Sequence, residues 1–192
     1  HNLLVIALIG ILVWMPLPFG SNQAMYWVYG EVALQTLFIV VLGMLALGQL
    51  NVSTAFRKAR LPLVIFAVFV VSQTMIHHWP GRQLSADQQA TNAQLIKTIC
   101  LFQVFVLMLL LIDTERRFRW LVWALLIGGT FQALYGTFMS LTETRYIWGY
   151  EKPGVFGNAA TGTFVNRNHL AGYLEMTLAL GLGLMIASLG EG

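Results

Sequence analysis

Eight consecutive residues, Gly162-Thr163-Phe164-Val165-Asn166-Arg167-Asn168-His169, gather two amides, a guanidinium and an imidazole, and Leu170-Ala171-Gly172-Tyr173 leads from them into a long apolar run. Such groups are costly at the border of an apolar phase unless partners or water satisfy them. A helix starting here would present unpaired backbone N–H groups and the positive end of the peptide dipole. Asn166 or Asn168 suits the N-cap, and Arg167 added to that end makes a ready anion site. Simple capping, with Arg167 reaching lipid head groups, explains one Asn and the Arg. It leaves the second Asn and His169 without a role.

The stretch before the cluster, 142–168, is long for a connection and short for a domain. It sets Arg145, Lys152 and Arg167 against Glu143 and Glu151, among Tyr146, Trp148, Tyr150, Phe156 and Phe164. Gly149, Gly154, Gly157 and Gly162, with Pro153, exclude a continuous helix and favour a turn-rich cap. Basic groups above aromatic rings suit an anionic head group or a stacked sugar, and Arg holds phosphate oxygens through two parallel hydrogen bonds. Anchoring of the loop to lipid phosphates is the alternative. Arg145 and Lys152 are therefore candidate binding residues.

The elements that must position these groups are apolar helices. Hydrophobic residues make up 57% of the chain and charged ones 10%, with mean hydropathy +0.70; a soluble domain carries about 25% charged residues. Glu31 is the only acidic or basic side chain from His1 to Phe56. The expected fold is an all-α, polytopic transmembrane bundle with about six spans, each near the roughly 20 residues a bilayer requires: 3–19, 29–50, 61–76, 96–112, 120–141 and 169–189. The expected organisation is one transmembrane domain over 1–192, the N-terminal part of a longer protein.

Basic residues fall in compact clusters, Arg57/Lys58/Arg60 and Arg116/Arg117/Arg119, which fits topology signals rather than nucleic-acid binding. By the positive-inside rule those loops are cytoplasmic, so the N-terminus is inside and 20–28, 77–95 and 142–168 lie outside. Small residues at four-residue spacing mark close packing in lipid. Ala171, Glu175, Ala179, Gly183 and Ala187 form one such ridge; Gly128, Gln132, Gly136 and Ser140 form another. Gln132 and Glu175 are thereby expected to face protein, either as ordinary satisfied polar groups in a helix contact or as part of a site. The ridges also suit membrane protein partners.

Other polar residues read more simply. His77 and His78 point apart within one turn and suit an interface beside Trp79. Glu31 and Gln35 share a helix face, lining a polar cavity or reaching the interface. Lys97 is read as snorkelling. Asn51-Val52-Ser53 matches a glycosylation sequon on the predicted inner side, a chance match. Cys100 is alone, so no disulfide or cysteine metal site is implied.

The run Gly162-Thr-Phe-Val-Asn-Arg-Asn-His-Leu-Ala-Gly-Tyr resembles the signature segment of the bacterial O-antigen ligase and polymerase family, which includes the protein O-oligosaccharyltransferases. That pattern is a Gly, an aromatic, Asn, one residue, Asn, then a small residue entering a membrane helix. Family members often carry an Arg just before the Gly; here the stretch is Asn158-Ala159-Ala160-Thr161. The resemblance implies a multi-pass glycosyltransferase of the bacterial inner membrane, moving a glycan from an undecaprenyl-diphosphate carrier to an extracytoplasmic acceptor without metal or cofactor. Carried over, Arg167 is the catalytic candidate that approaches the diphosphate, Asn166 and Asn168 shape the site, and His169 lies beside substrate without being the base. The rival expectation is a structural or accessory subunit of a larger membrane complex. A transporter fits less well, since the polar groups crowd one face rather than the bilayer midplane.

Overall fold

The computed structural model describes residues 1–21, 23–77, 87–152 and 159–190. Among these the elements are α1 (Asn2–Trp14), a 3-10 turn (Phe19–Ser21), α2 (Ala24–Ala46), α3 (Thr54–His77), α4 (Gln88–Leu111), α5 (Glu115–Leu141), the antiparallel hairpin β1 (Tyr146–Ile147) and β2 (Tyr150–Glu151), and α6 (Arg167–Gly190). The fold is all-α, with one short hairpin.

Among the described residues, four helices, α2, α4, α5 and α6, are long and apolar enough to cross a membrane. That fits a multi-pass membrane protein, with about four such spans where the sequence suggests about six. The shortness of α1 has a physical cause. α1 has 13 residues, about 20 Å of helix against a hydrocarbon core of about 30 Å. It stops at Trp14 instead of reaching Phe19 because Pro16 and Pro18 remove N–H donors and disfavour helix in the residues before them. There Ser21 Oγ donates to the Met15 carbonyl at 2.6 Å. α3 has 24 residues, with Arg57, Lys58 and Arg60 in its first turns. Conversely, α4 begins at Gln88, two turns before its apolar run, because Asp87 caps it: Ala90 N donates to Asp87 Oδ1 at 2.9 Å.

The chain forms two compact units, His1–Val5 with Leu34–Thr114, and Ile6–Ala33 with Glu115–Gly192. In the first, α3 and α4 pack through Phe66 stacked on Phe102 at 5.3 Å. Gln103 Nε2 donates to Gln35 Oε1 at 3.0 Å, an amide pair of the kind that joins helices in lipid. Val64, Ile65, Val68, Phe69 and Val71 of α3 stay exposed. Such a surface is adverse in water and matched by hydrocarbon chains.

Ser53 has a double role in this unit. Its Oγ accepts from Phe56 N at 3.0 Å, capping α3, while its hydroxyl donates to the Leu109 carbonyl near the end of α4. Ser53→Ala is expected to lower stability by about 1–2 kcal/mol, read as a lowered melting temperature in detergent. Ser53→Thr, which keeps the hydroxyl, should recover most of it.

Candidate functional site

In the second unit the chain leaves α5 through Glu143, with positive φ, and enters the hairpin. Trp148 and Gly149 turn it with φ of 53° and 85°, the two left-handed positions of a tight hairpin turn. Glycine accepts that geometry freely; tryptophan does not, and its side chain is held on both sides. Trp148 Nε1 donates to the Leu17 carbonyl at 2.9 Å, and its ring stacks on Tyr135 at 5.3 Å and Phe131 at 6.2 Å. Ile147, buried, packs with Phe19 and Met139. The Lys152 N–H donates to the Arg145 carbonyl at 2.7 Å, lengthening the hairpin by one pair.

The twelve-residue motif divides into two halves. Thr161, Gly162, Thr163 and Phe164 are all buried. Phe164 N donates to the Thr161 carbonyl at 3.0 Å, a tight turn, and Gly162 has φ 56°. Gln132 of α5 grips the turn from below. Its Oε1 accepts from Thr163 N at 2.9 Å, and its Nε2 donates to Thr163 Oγ1 at 2.6 Å. The Thr163 hydroxyl in turn donates to the Pro16 carbonyl at 2.6 Å. A Cβ on Gly162 would lie 2.5 Å from Gln132 Oε1 and 3.0 Å from Leu170. The Phe164 ring seats directly on Gly20, where a Cβ would collide with it.

The other half is presented outward. α6 starts at Arg167, and Asn166 is its N-cap, with Oδ1 accepting from Asn168 N at 2.8 Å. Arg167, Asn168 and His169 occupy the first turn and are exposed, and Asn166 is half-buried. The positive helix end therefore carries a cation, an amide and an imidazole together.

α6 packs antiparallel on α5, but not through the expected ridge. Thr177 approaches Gly129 so closely that a Cβ there would lie 2.6 Å from its Oγ1; Tyr173 meets Gly128, Leu170 meets Gly136, and Leu126 meets Gly181. Of the expected α5 ridge, Gly128, Gln132 and Gly136 lie in the contact, Gln132 at 1% exposure, while Ser140 is exposed and Gly129, outside that ridge, makes the closest approach. On α6, Ala171, Glu175, Ala179, Gly183 and Ala187 are all exposed. The contact is mainly side chain into glycine notch, with Thr177 and Leu170 the buried residues of α6.

The remaining candidates part company. Arg145 is exposed. Lys152 is only 5% exposed, and its Nζ donates to the Ala159 carbonyl at 2.8 Å, so it braces the loop instead of meeting a ligand. Pro153, Gly154, Phe156, Gly157, Asn158, His78, Trp79 and Arg82 lie outside the described residues. What sequence reasoning missed is the Gln132–Thr163–Pro16 chain; the buried threonines carry no signal that separates them from ordinary loop residues. No family model matches the chain, and neither curated proteins nor solved structures provide a match.

Gln132→Leu strands the Thr163 N–H in an apolar setting and should cost about 1–3 kcal/mol, read as lower melting temperature and faster proteolysis of the 142–166 loop. Gly162→Ala should act the same way, since the side chain meets both a positive φ and Gln132. For Lys152, burial disfavours the charged form and moves its pKa below the ordinary lysine range. Between that lowered value and the ordinary one the unfolded chain binds more protons, so stability rises with pH across this alkaline window. Melts over that range should lose the slope in Lys152→Met; an unchanged slope assigns it to another group.

Proposed function

We propose that the chain carries one wall of the active site of an O-antigen ligase/polymerase-like glycosyltransferase, which moves a glycan from an undecaprenyl-diphosphate carrier to an acceptor outside the bacterial inner membrane. The observation that supports it most is the exposed turn Arg167-Asn168-His169, set on an anchored motif whose sequence resembles that family's signature. In the transfer, an acceptor oxygen bonds to the anomeric carbon as the bond from that carbon to the diphosphate oxygen breaks. The bonding pair leaves with the diphosphate, and the acceptor's proton passes to a base or solvent. Negative charge thus grows on the departing phosphate. Arg167 and the first-turn N–H groups supply fixed positive charge for it, and such preorganised groups are worth roughly 10²–10³ in rate.

Asn166 acts through the helix as its cap, so its effect is positional. Asn168 and His169, exposed on the same turn, contact the head group or first sugar. Arg145, on the hairpin, adds a second cation for the diphosphate.

In the complete protein, with carrier-linked glycan and acceptor supplied in membranes, Arg167→Ala should lower transfer by about a hundredfold or more at unchanged expression and insertion. Arg167→Lys should retain an intermediate rate, since charge survives while the two-pronged geometry is lost. Transfer at the wild-type rate in Arg167→Ala would remove Arg167 from the site.

A further inference from the structure

The basic cluster at the start of α5 takes no part in the site above. Arg116, Arg117 and Arg119 outnumber Asp113 and Glu115 there. Arg119 Nη2 donates to Glu115 Oε1 at 2.6 Å across one helical turn. The Arg116 guanidinium lies 4.9 Å from the centre of the Trp120 ring. Glu115, Arg116, Arg119 and Trp120 together line a hollow of about 480 Å³. Stacking engages the face of a guanidinium, whereas phosphate recognition uses its edge. Tryptophan is also the residue type favoured at head-group level.

Phe118 and Val122, on these same turns of α5, form one wall of an apolar groove of about 700 Å³. Its floor is the α6 stripe of Ala179, Gly183 and Ala187, the ridge that packing on α5 leaves uncovered. A Cβ on Gly183 would meet nothing within 4 Å, so the space is open and not merely a glycine contact. The α6 lining runs from Met176 to Ala187, about 16 Å at 1.5 Å per residue. That is close to half of a hydrocarbon core of about 30 Å, the depth of one leaflet. Because α5 and α6 run antiparallel, the Ala187 end of the groove lies at the level of the arginines.

We propose that this is a binding site for an anionic phospholipid, with its phosphate in the hollow of Arg116 and Arg119 and one acyl chain along Ala179, Gly183 and Ala187. A hollow that sets two guanidiniums against one carboxylate, beside an apolar groove that flanks the same turns of α5 and is one leaflet deep, matches both ends of such a molecule. Basic pockets beside transmembrane helices select anionic over zwitterionic lipid by the same charge term. The site is separate from Arg167, which begins α6 at its other end.

The test is lipid retention by the complete protein in mild detergent, measured by native mass spectrometry with dioleoyl phosphatidylglycerol and dioleoyl phosphatidylcholine, which share their acyl chains. The wild type should retain phosphatidylglycerol about tenfold better than phosphatidylcholine. The double variant Arg116→Gln, Arg119→Gln should bring that ratio close to one. Gly183→Leu, placed in open space and compatible with folding, should reduce retention of both lipids together. Equal retention of the two lipids by the wild type overturns the proposal, as does a preference that survives loss of both arginines. A Gly183→Leu protein that keeps its lipid but loses self-association would assign the groove to a second copy of the chain, and equally overturn it.

Discussion

Gln132 holds the second unit together. An amide in the middle of an apolar helix is adverse unless both of its polar ends are matched, and Thr163 matches both, giving its N–H to the oxygen and its hydroxyl oxygen to the nitrogen. The hydroxyl proton then has one place to go, the Pro16 carbonyl. Hydrogen-bond direction is thereby defined along the whole chain of contacts. Thr163 thereby joins α5 to the turn after α1, its hydroxyl reaching the Pro16 carbonyl across a sequence separation of 147 residues. Because each bond satisfies a group that its neighbour would otherwise leave unpaired, the network forms as a unit.

That anchoring explains how a flexible-looking run can end in a well-placed helix start. Gly162 permits the backbone to pass over Gln132, Phe164 seats on Gly20, and Asn166 closes the first turn of α6. Arg167, Asn168 and His169 are exposed without being loose, since the three residues before Asn166 are tied down. A group that stabilises developing charge must be oriented before the charge appears. The buried half of the motif fixes the position of the exposed half.

Much of this was legible in the sequence, and the gaps have physical causes. Hydropathy located the apolar runs but not the helix ends, because capping and hydrogen bonding carry α4 back to Asp87, and two prolines stop α1 before its apolar run ends. Asn166 as a cap and Gln132 as a protein-facing residue were readable, since each follows from local chemistry. The face of α6 was not. Four-residue spacing of small residues marks where a helix can approach closely, while the partner decides whether it does. Here the glycines of α5 already provide the notch, so Thr177, Tyr173 and Leu170 fill it and the expected α6 ridge of Ala171, Ala179, Gly183 and Ala187 is left outside. Lys152 was misjudged for a similar reason: a cation in a polar loop reads as solvated until a carbonyl such as that of Ala159 encloses it.

The uncovered face of α6 changes character along its length. From Arg167 through Asn168 to Glu175 it is polar, and from Ala179 through Gly183 to Ala187 it is small and apolar. An exposed carboxylate two turns into a membrane helix is costly against lipid tails, so the first half of this face calls for water or a polar ligand. The second half contains nothing that water would stabilise. A single helix facing two environments in this way is inconsistent with uniform lipid contact along its outer side. Glu175 marks the change, and the apolar groove begins beyond it, from Met176 to Ala187. Packing through Leu170, Tyr173 and Thr177 against the glycines of α5 makes this division possible, because it consumes none of the residues that define either half.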